Sequence, residues 1–84
     1  MRLSGKLVKG TKVIKETSVE RNEDAPYRDL LENCLLDLCR ELDIQVPLWL
    51  KKNTREFVLY RRTSFTKEHF MEGIKFDRFE IRVE

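Results

Sequence analysis

Alternating apolar and polar positions at the start of the chain predict a β-hairpin. Leu3, Gly5 and Leu7 alternate with polar residues, which is typical of a strand with one buried face. Lys9-Gly10-Thr11 supplies a turn, because glycine adopts positive φ without a steric cost. A second strand is predicted from Lys12 to about Glu20, where threonine and valine are enriched.

Leucines at helical spacing then predict a long amphipathic helix from Pro26 to Leu42. Pro26 suits the first turn, where its missing N–H has no helical partner to lose. Asp24 is expected to cap this helix through its side chain. The apolar stripe recurs every three or four residues and contains Leu31, Leu35, Leu38 and Leu42, widened by Leu30 and Cys34.

The middle of the chain predicts an apolar loop and then a central strand. Pro47 ends the helical pattern, and a loop or single turn through Leu48-Trp49-Leu50 is expected to stop near Asn53. From Phe57 to Thr63, apolar residues occupy both parities, as in a strand that is covered on both faces.

The C-terminal third predicts a two-turn helix and a last strand. Thr66 suits the N-cap of a helix from Lys67 to Glu72, and Gly73 suits its C-terminal end. In the following strand the apolar residues change parity, so a bulge at Asp77-Arg78 is expected to let both sets face the core. These apolar residues are Ile74 and Phe76, then Phe79, Ile81 and Val83.

The element order β-β-α-β-α-β predicts an α+β fold in a single domain of residues 1–84. We expect a small, mainly antiparallel four-stranded sheet with the long helix packed on one face and a short second helix. Hydrophobic residues at 40% and charged residues at 38% indicate a folded domain with a charged surface, since a disordered tail would lack this apolar content.

Charge is segregated along the chain although the formal net charge is only +2. The net charge is +4 for residues 1–22, −5 for residues 23–43 and +3 for residues 44–84. Basic segments beside an acidic helix favour complementarity within the fold first, and attraction of anionic partners second.

Few residues suggest catalytic or metal chemistry. Cys34 and Cys39 lie five positions apart on the predicted helix, so their side chains diverge and we expect reduced thiols that pack as small hydrophobes. His69 is interpreted as a surface histidine, and three such residues are too few for a structural zinc site. The sequence therefore predicts a non-enzymatic protein with no metal and no cofactor.

The first residues lack the apolar core of a signal peptide, and no apolar stretch has the length of a membrane span. From these features we expect a cytoplasmic protein without membrane association.

A basic and aromatic cluster is the candidate binding site. Two functions remain open for it: a protein-interaction surface, with another protein or a second copy as partner, and an RNA or single-stranded nucleic acid surface on the open sheet face. Glu80 and Glu84 on the outer parity of the last strand argue against nucleic acid. The cluster comprises Trp49, Lys51, Lys52, Arg55, Tyr60, Arg61 and Arg62.

Two segments, Lys51-Lys52-Asn53-Thr54-Arg55-Glu56-Phe57 and Phe76-Asp77-Arg78-Phe79-Glu80-Ile81, resemble a family of small bacterial proteins of similar length that has no assigned activity. The resemblance implies a bacterial cytoplasmic origin and transfers no functional residue. The function predicted from the sequence is that of a protein-interaction module, with nucleic-acid binding as the alternative.

Overall fold

The computed structural model describes all 84 residues and confirms the α+β class. In chain order the elements are β1 (Arg2–Lys9), β2 (Lys12–Glu20), α1 (Tyr27–Leu42), α2 (Lys51–Tyr60), β3 (Arg62–Phe65), a 3₁₀ turn (Lys67–His69) and β4 (Arg78–Val83). No helix is both long and apolar enough to cross a bilayer.

The four strands form one sheet in the order β2-β1-β4-β3, and each neighbouring pair is antiparallel. The first and last strands of the chain are therefore the central pair. β2 and β3 are the two edges, so the C-terminal strand closes the sheet against the N-terminal hairpin.

The core lies between one face of this sheet and α1. Leu3 and Leu7 of β1 and Phe79 and Ile81 of β4 point to that face and are buried. The long helix packs on one face of the sheet, as predicted, where it contacts β1 and β2, and its leucine stripe faces the sheet. The buried residues of α1 are Cys34, Leu35, Leu38, Cys39 and Leu42.

Gly5 on β1 leaves space for Phe79 of the sheet and Leu38 of α1 to pack closely against the strand. A Cβ atom at Gly5 would lie 2.9 Å from Cε1 of Phe79 and 3.1 Å from Cδ1 of Leu38. Both of these side chains are fully buried, so neither has free space in which to move. The absent side chain is thus a packing requirement of the core.

An ion pair joins the end of β2 to the side of α1. Nε and Nη2 of Arg21 donate to the two carboxylate oxygens of Asp37 at 2.7 and 3.0 Å. The hydrogen bonds from Arg21 hold the pKa of Asp37 below its usual range.

The predicted cap by Asp24 is wrong, because Pro26 occupies the N-cap position and no side chain caps this helix.

The strand predicted from Phe57 to Thr63 is wrong. Residues Lys51–Tyr60 form α2, and only Arg62–Phe65 form the short edge strand β3. The two buried residues of α2, Asn53 and Phe57, are four apart, which is the spacing of one helical face. The apolar residues at odd and even positions therefore belong to a helix, and those that do not face the core are exposed.

The C-terminal predictions need two further corrections. The helix expected from Lys67 to Glu72 is a single 3₁₀ turn, Lys67–His69, so the second helix of the fold precedes β3. The bulge expected at Asp77-Arg78 is absent, because β4 begins at Arg78 and pairs regularly with both neighbours. The irregularity of the sheet lies instead opposite Leu7/Val8 in the hairpin.

Candidate functional site

Helix α2 contains most of the predicted site, and a buried asparagine holds it in place. Nδ2 of Asn53 donates to the hydroxyl of Thr63 at 2.8 Å and to the carbonyl oxygen of Ser64 at 3.0 Å. Its Oδ1 accepts from the N–H of Leu50 at 2.9 Å, which satisfies one of the free donors at the helix start. One side chain thus caps α2 and ties it to β3.

Trp49 contributes to this support and is half-buried. Its ring packs edge-on against Phe57, with centroids 5.8 Å apart, and lies 5.7 Å from the ring of Phe65. Its Nε1 donates to the hydroxyl of Thr54 at 2.7 Å. Part of Trp49 remains exposed to solvent, and its binding role stays a prediction.

The outward side of α2 combines cations with exposed aliphatic groups. We call the surface of Lys51, Lys52, Arg55, Val58 and Leu59 the α2 face. Val58 is 72% exposed and Leu59 is 64% exposed. Helical spacing brings both of them beside Arg55.

The charges of the α2 face have no partners within the chain. None of the six ion pairs of the protein involves Lys51, Lys52 or Arg55. The two lysines lie in the first turn of α2, the end of a helix where cations are unfavourable, and no acidic residue in that turn offsets them. This arrangement gives the helix no internal benefit.

The remaining predicted residues lie near the C-terminal end of α2. Arg61 is the C-cap residue, with a left-handed φ of 58°, and Arg62 begins β3. Tyr60 is 62% exposed and borders the sheet face that α1 does not cover. The structure therefore places Trp49 in the support of α2, three of the predicted cations on the α2 face, and Tyr60, Arg61 and Arg62 at the junction of α2 and β3.

That uncovered sheet face, here called the open face, is polar throughout its centre. It forms a shallow groove of about 810 Å³. No aromatic side chain of a strand lies on it, because the aromatic residues near Arg61 and Arg62 belong to α2. The aromatic side chain that lines the groove is that of Tyr60 from α2, beside Arg62 and Arg82, and the basic and aromatic sheet face for nucleic acid stays a prediction. The groove is lined by Ser4, Lys6, Ser18, Ser64, Glu80, Arg62 and Arg82, among others.

Residues with nucleophilic or ligand chemistry lie in the interior. Cys34 and Cys39 are free thiols that are buried on α1, as predicted, and burial raises the pKa of Cys39 to about 11. No three His, Cys, Asp or Glu side chains cluster closely enough to hold a metal ion. Thiolate chemistry is disfavoured at both positions.

His69 is not the surface residue that was expected. It is fully buried, its ring lies edge-on to Phe65 at 5.5 Å, and its Nδ1 accepts the N–H of Thr66 at 3.0 Å. Because Nδ1 is an acceptor, the ring proton lies on Nε2, which has no hydrogen-bond partner. His69 thus closes the 3₁₀ turn from inside the core.

Three residues of these surfaces were missed from the sequence. Val58 and Leu59 were assigned to a buried strand, and the hydrophobicity of a single residue does not indicate which side of a helix it occupies. Arg82 was not among the predicted site residues. Its pairing with Arg62 depends on the strand order, which sequence patterns do not encode.

No protein-family model, curated protein or solved structure matches this chain. Its function must therefore be argued from the surfaces described above.

Proposed function

We propose that this protein is a non-enzymatic protein-interaction module that binds an acidic, partly apolar segment of another protein on the α2 face. One observation supports this most directly: Val58 and Leu59 are largely exposed within a group of three unpaired cations. Exposed apolar groups that are rimmed by charge are typical of association surfaces.

The chemistry of the α2 face favours a protein over a nucleic acid. Single-stranded nucleic acids are bound by aromatic rings that stack on bases, and the aliphatic side chains of Val58 and Leu59 cannot do this. A protein segment with leucine or phenylalanine beside aspartate or glutamate complements both parts of the face. Burial of the aliphatic groups would supply affinity, and the cations would select the acidic partner.

A rigid support is consistent with such a role. Asn53 and Phe57 anchor the inner side of α2, while Trp49 packs beneath its first turn. A face that is held in one conformation loses little entropy on binding, which favours affinity for a small surface.

The test is selection from a phage-displayed library of random dodecapeptides. We expect the selected peptides to combine acidic with large apolar residues. Their affinity should fall at least tenfold for a V58S/L59S double variant, and a K51E/K52E variant should lose selectivity for acidic peptides. L36S is the matched control, because Leu36 is a partly exposed leucine of α1, outside the α2 face.

Other outcomes would contradict the proposal. Basic peptides, or acidic peptides that bind V58S/L59S as well as the wild type, would place the binding surface elsewhere. Steeply salt-dependent binding of single-stranded RNA, with the same affinity for the wild type and V58S/L59S, would support the nucleic-acid alternative instead. A concentration-dependent mass that V58S/L59S abolishes would identify a second copy as the partner.

A further inference from the structure

Two arginines on the open face lie directly opposite each other without a counter-ion. Arg62 of β3 pairs in register with Arg82 of β4. The N–H of Val83 donates to the carbonyl of Arg61 at 3.0 Å, so that neighbouring pair is hydrogen-bonded. Arg62 and Arg82 therefore occupy a non-hydrogen-bonded pair, in which the Cα atoms are only about 4.5 Å apart.

This placement is unfavourable by itself, because like charges directly opposite on a sheet repel each other. Neither arginine takes part in any of the six ion pairs. The two guanidinium groups thus retain their full hydrogen-bonding capacity on the same stretch of the groove.

Two carboxylates of the groove already have cationic partners. Glu80 accepts from Arg78 and also lies 3.9 Å from Nζ of Lys6. Glu84 accepts from Nε of Arg2 at 2.7 Å. Glu56 accepts from the neutral hydroxyl of Thr63 at 2.7 Å. Glu16 has no cationic partner, but it lies on β2, and two strands separate it from Arg62.

The register of the sheet confines this positive charge to a narrow row. Across the strands the row contains Ser18, Ser4, Arg82 and Arg62, and it has no acidic member. The row on one side contains Glu16, Lys6, Glu80 and Ser64, and the row on the other side contains Glu20, Arg2 and Glu84. Side chains on one face repeat about every 6.8 Å along a strand, so carboxylates flank the arginine pair closely.

From this arrangement we infer that Arg62 and Arg82 form a binding site for the phosphate group of a small phosphate monoester. Two guanidinium groups match the two negative charges of a monoester above its second pKa, which is about 6. Each guanidinium can donate two parallel hydrogen bonds to phosphate oxygens. The hydroxyls of Ser64 and Tyr60 line the same groove and have no partner within the chain.

The flanking carboxylates favour one compact anion over a polyanion. A nucleic acid strand that ran along β4 would have to pass its neighbouring phosphates over Glu80 or Glu84. The groove volume of about 810 Å³ is within the range that accommodates small molecules. This site lies on the open face and is separate from the α2 face.

The experiment is a titration of the labelled protein with methyl phosphate at about pH 7.5, where the ester is a dianion, followed by ¹H–¹⁵N correlation spectra. We expect saturable shifts of the Nε–Hε signals of Arg62 and Arg82. R62Q and R82Q should each weaken binding at least fivefold. R28Q should leave it unchanged, because Arg28 is an exposed, unpaired arginine on α1.

Two further probes separate this site from general attraction of anions. Dimethyl phosphate, which has one charge, should bind at least fivefold more weakly, and an oligothymidylate should show no tighter binding per phosphate than methyl phosphate.

The unliganded R82Q variant should melt at or above the temperature of the wild type, because it removes a repulsion. Lost binding in a folded variant would then reflect the missing guanidinium.

Four results would overturn the inference. Three of them are shifts that map to Lys51 and Lys52 in place of the arginine pair, an R28Q variant that weakens binding as much as R62Q does, and an oligonucleotide that binds far more tightly through both surfaces. An absence of saturable shifts with methyl phosphate would overturn it equally.

Discussion

Asn53 of α2 donates a hydrogen bond through Nδ2 to the carbonyl oxygen of Ser64 on β3, at 3.0 Å. Ser64 occupies a non-hydrogen-bonded position relative to β4, so its carbonyl points to the free edge of the sheet. The helix thereby covers an edge that would otherwise expose an unpaired acceptor. The same contact positions both candidate surfaces, because α2 has the exposed cations on its far side and Tyr60 borders the groove.

Replacing Asn53 with aspartate should therefore destabilise the fold. N53D retains an acceptor for the N–H of Leu50 but loses both donor bonds and buries a charge beside the Ser64 carbonyl. We expect a loss of about 2–4 kcal/mol in the free energy of unfolding. Urea denaturation followed by the fluorescence of Trp49 measures it directly.

The control for this variant is N22D, since Asn22 is exposed and its replacement should change stability by less than about 0.5 kcal/mol. An N53D protein as stable as N22D would mean that α2 is held by its apolar contacts alone.

Gly5 gives a second prediction about the core. G5A introduces a Cβ at 2.9 Å from the buried ring of Phe79, and overpacking of this kind costs about 1–3 kcal/mol. Thermal unfolding followed by circular dichroism should show a lower melting temperature. In G73A the added Cβ meets no atom within 4 Å, so its melting temperature should stay close to that of the wild type or rise slightly. Equal effects of the two substitutions would contradict the packing argument.

The Arg21–Asp37 ion pair predicts part of the pH dependence of stability. The pKa of Asp37 is lowered in the folded protein by its hydrogen bonds from Arg21, whereas an unfolded aspartate titrates near pH 3.9, about its usual value. The stabilisation is therefore complete above about pH 4 and is lost as the pH falls through the lowered pKa.

A D37N variant lacks this titration, so its stability should decline less steeply between about pH 5 and pH 2 than that of the wild type. Urea denaturation across that range measures the difference. E32Q removes a charge from an exposed, unpaired position of the same helix and should keep the slope of the wild type. If D37N and the wild type decline in parallel, the ion pair does not contribute to acid stability.

Local patterns predicted the N-terminal half of the molecule well and the C-terminal half poorly. The alternation from Leu3 to Leu7, the turn at Gly10 and the leucine stripe of α1 all reflect contacts on a single face, which periodicity reports. The wrongly predicted strand contains Phe57-Val58-Leu59-Tyr60, which has the residue composition of a strand. Because its exposed residues are apolar as well, the sequence shows no helical periodicity there. Contacts from Asn53 and Trp49 decided its helical structure.

The α+β class, the hairpin, the long helix and the basic character of residues 51–62 can be read from the sequence, because propensity and periodicity act between near neighbours. The exposure of Val58 and Leu59 depends on the buried contacts of Asn53 and Phe57, and the Arg62–Arg82 pair depends on which strands pair. Both are set by the packing of residues from different elements, which local patterns do not encode.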